Sequence, residues 1–222
     1  MPERILCAST VFIAAFLLFV IQPVAARLLL PAHGGAASVW IACLLFFQST
    51  ALLGYAFAHR TERIRTPLRR TVLRVLPALL SLAVLTCISA LGGEPLIDGR
   101  PMIAIVALLM TTIGIPAIGL ATVSPSVQSA VAASRPSRSP YSLYVWSNIA
   151  SFIALLGYPL IIEPYIALAD QITGWSILFI IFVLLYGATL LRLSRSTAAG
   201  IKNAASALAD AQPLPRRGTA VL

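Results

Sequence analysis

The sequence predicts an all-α integral membrane protein, a bundle of six transmembrane helices with both chain ends on the cytoplasmic side. Three observations predict it. Hydrophobic residues make up 59% of the 222 residues and charged residues only 10%, and the mean hydropathy is +0.93, whereas soluble domains are roughly 45–50% apolar and about 25% charged. Six apolar stretches are long enough to cross a bilayer. The basic residues fall almost entirely on one side of those stretches.

The six predicted spans follow one another at short intervals. A helix needs about 20 mostly apolar residues to cross a hydrocarbon core of ~30 Å, and the stretches that qualify are 5–30, 38–58, 72–91, 102–123, 143–162 and 172–191. The fifth is the shortest, and Ser139-Pro140 favours a helix start just before it. Together they form a membrane domain, 1–193, followed by a cytoplasmic tail, 194–222, that we expect to be partly disordered.

Charge predicts the orientation of the spans. Fourteen of the sixteen Lys and Arg residues lie before the first span, in the second and fourth connecting segments, or in the tail. The second segment, HRTERIRTPLRR (59–70), is the richest, and Arg74 just beyond it is counted with it. Cytoplasmic loops carry the excess of basic residues, so we expect both termini in the cytoplasm and the chain in a bacterial inner membrane. A cleavable signal peptide ending at 24–26 is the alternative for the first span, although Leu28, Leu29 and Leu30 continue its apolar run.

Polar side chains interrupt three of the spans. In the second and fifth spans their spacing of three and four residues places them on one helix face. An amide in lipid costs several kcal/mol unless it finds a partner. We therefore expect these faces to point into the bundle, near the small-residue pairs Gly54/Ala58 and Ala150/Ala154, where they would hold helices together or line a substrate cavity. The residues are Gln22, Gln48, Tyr55, Tyr144, Ser147, Asn148 and Ser151.

Helix breakers and two charged residues complete the intramembrane pattern. Gln22-Pro23, Gly114-Ile115-Pro116 and Gly157-Tyr158-Pro159 interrupt three spans; such breaks mark binding sites in some transporters but also occur in ordinary membrane helices. Arg27 and Glu163 fall near the outer ends of their spans. They would pair across the bundle or extend separately to the interface.

The sequence predicts no metal or cofactor site. His33 and His59 are far apart in the chain and have no Cys or carboxylate cluster near them. Cys7, Cys43 and Cys87 show no paired spacing and lie in or beside apolar runs, which is typical of buried thiols.

Two long blocks of sequence carry a family resemblance. The first, 16–60, contains Gln22-Pro23, Leu29-Leu30-Pro31, Val39-Trp40 and Phe46-Phe47-Gln48. The second contains SPSVQ (124–128) and PYSLYVWSNIASFIALLGYPLIIEP (140–164). These blocks resemble the membrane part of the spermidine synthase-like integral membrane proteins, often labelled fused MFS/spermidine synthases.

The resemblance implies a membrane domain that fused family members join to a cytoplasmic Rossmann-like domain for aminopropyl transfer to polyamines. Such a domain needs a Gly-rich turn after a strand and acidic side chains for the amine. The chain shows neither: its nearest look-alike, Leu91-Gly92-Gly93-Glu94, follows a membrane helix, and the sequence stops about 30 residues after the sixth span. Because no acid/base pair or nucleophile set is apparent either, we expect no enzymatic activity.

The expected function is a non-catalytic membrane module that anchors or regulates a partner. The partner would be a cytoplasmic synthase-like or other protein, since the basic cytoplasmic face could receive an acidic protein as well as anionic lipid headgroups. The alternative is a small transporter that resembles half of an MFS protein and works as a homodimer. The bilayer is the remaining expected partner, and nucleic acid is not expected.

Overall fold

The computed structural model describes residues 2–33, 37–84, 101–134 and 141–210, which are helical almost throughout and contain no strand within these ranges. The all-α prediction is therefore confirmed. The helices are α1 (Pro2–His33), α2 (Ala37–Glu62), α3 (Pro67–Val84), α4 (Pro101–Thr112), α5 (Gly114–Ala121), α6 (Val123–Ser134), α7 (Tyr141–Gly157), α8 (Glu163–Tyr165) and α9 (Leu168–Asp210), with a π-helical turn, Tyr158–Ile162, between α7 and α8.

Among the described residues, five helical stretches are long and apolar enough to cross a membrane, which supports an α-helical membrane bundle. They are Glu3–Pro31, Ala37–Glu62, Gly114–Ser134, Tyr141–Tyr165 and Leu168–Gly200, and Met102–Thr112 is a shorter apolar helix. The predicted third span, 72–91, is only partly described. Its first part lies in α3, which also carries Arg69, Arg70 and Arg74, and residues 85–100 lie outside the described ranges.

The predicted fourth span, 102–123, is interrupted and longer than expected. It consists of α4, α5 and α6, which break at Ile113 and at Thr122 and continue to Ser134. Each break precedes a proline, Pro116 or Pro125, by three residues. Proline has no N–H to donate and its ring collides with the carbonyl four residues earlier, so each proline removes one helical hydrogen bond. The N–H groups of Ile113 and Thr122 still donate to the carbonyls four residues earlier.

The interrupted α4–α6 rod lies at the centre of the bundle. It contacts α1, α2, α3 and α9, whereas α7 packs mainly against α1 and touches α6 near its own start. As a result, only 17% of the membrane-spanning stretch that contains α7 is buried. The bundle therefore leaves one of its spanning helices exposed along most of its length.

Small residues make the closest helix contacts, as their spacing predicted. A Cβ atom built on Gly54 would lie 2.5 Å from the Cβ of Ala121, so α2 and α5 approach as closely as only glycine permits. Ala58 is buried one turn further along α2, and Ala150 and Ala154 are fully buried where α7 meets α1.

The last helix extends past the predicted end of the membrane domain. α9 runs on to Asp210, so the first part of the predicted tail, 194–222, belongs to the same helix as the predicted sixth span. Two bonds fix α9 to α1: the hydroxyls of Thr10 and Thr189 lie 2.8 Å apart, and Trp175 Nε1 donates to the Leu17 carbonyl at 3.0 Å.

Candidate functional site

A groove of about 380 Å³ opens between α1, α2 and α7 at one end of the bundle. This is the end that carries Arg27 and Glu163, which is the outer end in the predicted topology; we call it the outer end and the opposite one the inner end. Ligand sites of this kind are mostly apolar with a few polar groups. The lining residues are Gln22, Pro23, Ala26, Arg27, Leu30, Trp40, Cys43, Leu44, Phe47, Leu155, Tyr158, Pro159 and Glu163.

The charged residues of the groove meet, although not as an ion pair. Arg27 Nη1 donates to the main-chain carbonyl of Glu163 at 3.5 Å, a long hydrogen bond. Within the described ranges no ion pair joins their side chains, and Glu163 is exposed. Of the two alternatives for these residues, pairing across the bundle or separate extension to the interface, the structure shows a contact between the Arg27 side chain and the Glu163 main chain.

Proline shapes the outer wall of the groove. Pro159 cannot donate a backbone hydrogen bond, and the chain around it widens into the π-helical turn, a conformation that is uncommon and often found at functional sites. The side chain of Gln171 binds groups on both sides of this turn. Its Nε2 donates to the Ile166 carbonyl at 2.8 Å, and its Oε1 accepts from the Tyr158 hydroxyl at 3.1 Å. Gln171 thereby fixes Tyr158 in the floor of the groove.

Most of the predicted intramembrane polar residues lie on the surface of the single chain, with Gln22 in the groove. Gln48 and Asn148 are exposed, Tyr55 and Tyr144 are more than half exposed, and the two serines are half-buried. The expectation that these faces point into the bundle is therefore wrong for one chain. The Ser147 and Ser151 positions flank the buried alanines of α7, and Ser151 donates only to the Asn148 carbonyl of its own helix.

The two exposed polar stripes lead into the groove. On α2, Leu44 of the groove is followed at intervals of four, three and four residues by Gln48, Ala51 and Tyr55. On α7, the same intervals join Tyr144, Asn148, Ser151 and the groove residue Leu155. Because this spacing keeps side chains on one side of a helix, each stripe runs along its own helix to the groove, where α2 and α7 residues meet. The groove and the two stripes are treated together as one surface. We call it the α2/α7 face.

A buried arginine cluster near the inner end was not predicted from the sequence. Arg74 is only 1% exposed: its Nε donates to Thr61 Oγ1 at 2.8 Å, its Nη1 to the Ser126 carbonyl at 3.2 Å, and its Nη2 to the Glu62 carboxylate. The interpretation of Arg74 as a loop charge is therefore wrong, because it joins α2, α3 and α6. An arginine two turns inside a helix whose first turn is also basic gives little sequence indication of this role.

Two further hydroxyls beside this cluster lie close to each other but make no hydrogen bond of acceptable geometry. They are the Ser126 and Tyr186 side chains, both fully buried. Tyr186 is the last member of an aromatic row on α9 that begins with Trp175, Phe179 and Phe182. Neighbouring ring centroids lie 5.1 to 5.6 Å apart, stacked at both ends of the row and edge-to-face between Phe179 and Phe182. The cluster is thus closed on the α9 side by aromatic rings.

The described residues contain no group of three or more His, Cys, Asp or Glu that could hold a metal ion. Comparison with known proteins gives no assignment, since no family model, no curated protein and no solved structure matches the chain. The resemblance to spermidine synthase-like membrane proteins stays a prediction.

Proposed function

We propose that this chain is a non-catalytic membrane module with six spans and both termini in the cytoplasm, which anchors or regulates a partner through the α2/α7 face. The observation that supports this most directly is the exposure of Gln48 and Asn148 on otherwise apolar helices. Each unpaired amide in hydrocarbon costs roughly several kcal/mol. A polar membrane surface on the partner would remove that cost, because amides form hydrogen bonds between helices.

The cytoplasmic side adds a second contact surface in this proposal. Arg60, Arg63, Arg65 and Arg69 are exposed around the turn between α2 and α3. An acidic soluble protein fits that charge, and the family resemblance makes a synthase-like protein the specific candidate. The module would then hold such a protein at the inner membrane, with its own role being attachment rather than chemistry.

Co-purification from native membranes tests the module function. The variant Gln48→Leu/Asn148→Leu replaces both amides with apolar groups that lipid tolerates, so we expect the chain to remain folded but to lose a membrane partner that the unmodified chain retains. Leu53→Ala/Ile153→Ala is the matched control, since both residues are exposed on the same helices. Equal partner recovery with the amide variant and the control would refute docking through these stripes.

The second candidate is a small transporter that works as a homodimer, and the groove supports it. Two copies joined by the α2/α7 face would enclose the two grooves between them. This candidate is favoured if polyamine or amino-acid flux into proteoliposomes rises with the amount of protein and falls in Glu163→Gln. The protein should then also form a dimer in mild detergent. Absence of any flux for a panel of polyamines and amino acids, with a dimer still present, would favour the module.

A further inference from the structure

The groove at the outer end carries one positive and one negative side chain that do not neutralise each other. Arg27 contacts the main-chain carbonyl of Glu163, at 3.5 Å, and the side chain of Tyr158, and the Glu163 carboxylate lies at the exposed rim. A guanidinium binds phosphate oxygens through paired N–H donors, and a carboxylate binds a primary ammonium group. Gln22, half-buried further inside, offers an amide donor to an ester carbonyl. This charge pattern is complementary to a zwitterion rather than to an anion or a polyamine.

The walls of the groove belong to surfaces that face lipid. Trp40, Leu44 and Leu155 are 50%, 60% and 51% exposed, and all three lie on spanning helices. An acyl chain can therefore enter from the side without leaving the hydrocarbon. A water-soluble zwitterion would have to fill an apolar groove of about 380 Å³ that is open towards the membrane.

We propose that this groove binds a phospholipid of the outer leaflet whose headgroup carries a phosphate and a primary amine. Its phosphate lies against Arg27, its ammonium group against Glu163, and the start of its acyl chains against Trp40, Phe47 and Leu155. The site occupies the outer half of the α2/α7 face, whereas the polar stripes occupy the inner half. The proposal does not depend on the partner or transport function, because a lipid can bind the isolated chain.

Quenching of tryptophan fluorescence by brominated phosphatidylethanolamine tests the proposal. The full chain is purified in detergent and titrated with this lipid, and the part of the quenching that disappears in Trp40→Phe reports the groove. We expect that part to saturate, and the apparent affinity to fall about tenfold, equivalent to the loss of one charge-assisted contact, in Arg27→Gln and in Glu163→Gln. Arg192→Gln, an exposed change near the inner end, is the matched control and should leave the affinity unchanged.

Brominated phosphatidylglycerol separates the roles of the two charges. It has the phosphate but no amine, so we expect weaker binding to the unmodified chain and no further loss in Glu163→Gln. Arg27→Lys, which keeps the charge but not the paired donors, should bind more tightly than Arg27→Gln. Affinities are compared only for variants whose unfolding temperature in detergent matches that of the unmodified chain. If a charge variant fails this check, Gln22→Leu is used as a groove variant without a change of charge. Unchanged lipid affinity in Gln22→Leu would then overturn the proposal.

Four outcomes overturn the proposal. Quenching at Trp40 that does not saturate and is insensitive to both charge changes means ordinary boundary lipid. Equal binding of the two lipids, with no effect of Glu163→Gln, means that the site does not recognise the headgroup amine. Displacement of the brominated lipid by free leucine at millimolar concentration assigns the site to a soluble zwitterion. Protection of Trp40 in a cross-linked dimer assigns the groove to a second copy. Loss of a co-purifying partner, by contrast, leaves the quenching result intact.

Discussion

Removing the buried guanidinium of Arg74 should destabilise the bundle more than any other single charge change. The Arg74→Ala change deletes three hydrogen bonds, to Thr61, Glu62 and Ser126, which join α2, α3 and α6. Hydrogen bonds to charged groups contribute about 1.5–3 kcal/mol each, but burying the guanidinium itself costs part of that sum. Breaking a buried ion pair from one side typically costs about 3–5 kcal/mol, which we take as the expected loss.

That loss should be visible as a lower unfolding temperature in detergent. For a chain of this length each kcal/mol lowers Tm by about 2–4 °C, so we expect a drop of roughly 10 °C for Arg74→Ala. Glu62→Gln should cost less, about 1 kcal/mol, because the Glu62 side chain is 37% exposed and water already screens it. The matched control is Arg69→Ala, an exposed arginine earlier on the same helix, which should leave Tm unchanged.

The relative sizes of the three Tm shifts test whether the buried contacts of Arg74 stabilise the bundle. If Arg74→Ala and Arg69→Ala shift the unfolding temperature equally, the buried contacts of Arg74 contribute no more than a surface charge. If Glu62→Gln were as damaging as Arg74→Ala, the ion pair alone would carry the stability and the bonds to Thr61 and Ser126 would be incidental. Both results would refute the reasoning above in identifiable ways.

Three other substitutions should follow from local packing, each measured as a change of Tm in detergent. Gly54→Val should lower Tm by several degrees because of the contact with Ala121 at 2.5 Å, whereas Gly187→Ala, with no atom within 4 Å of the new methyl group, should be neutral; equal effects would contradict the close approach. Gln171→Leu should cost about 2 kcal/mol, since the Tyr158 hydroxyl loses its acceptor and the Ile166 carbonyl loses the Gln171 amide, whereas the Ile162 carbonyl keeps the Ile166 N–H. Tyr186→Phe should leave Tm unchanged or raise it, because the hydroxyl that it removes makes no hydrogen bond of acceptable geometry. A clear drop would show that its approach to Ser126 and Thr122 stabilises the fold.

Length, hydropathy and small-residue spacing predicted the helices and their closest contacts. Gly54 and Ala150 are buried because the absence of a large side chain is what allows two helices to approach. Pattern alone could not predict which side the polar residues face. In α7 the buried alanines and the polar stripe share the same spacing but lie about a quarter turn apart, at ~100° per residue, so either stripe could have faced α1. The packing of α1 against the alanines decided it.

The candidate site was only partly predictable for a related reason. Gln22, Arg27 and Glu163 were singled out by their chemistry, and all three line the groove. Gln171 was not, because a glutamine just beyond a predicted turn gives no sequence indication that it will bind the carbonyls around a π-helical turn. Arg74 was misassigned because a rule that counts charges by loop cannot distinguish an arginine in water from one enclosed by three helices.

Polarity on the α2/α7 face is graded along the membrane normal, and this gradation links the two proposals. At the inner half the face offers neutral amides and hydroxyls, which are satisfied by hydrogen bonds to another protein surface and have no counterpart in an acyl chain. At the outer half it offers separated charges above apolar walls, which match a lipid headgroup. A partner that covered the whole face would bury Arg27 and Glu163 together, and their charges would then need compensation within that interface. A partner that covers only the inner half avoids this cost, so we expect lipid to stay bound in the complex. The measured mass of the co-purified assembly should therefore include the lipid.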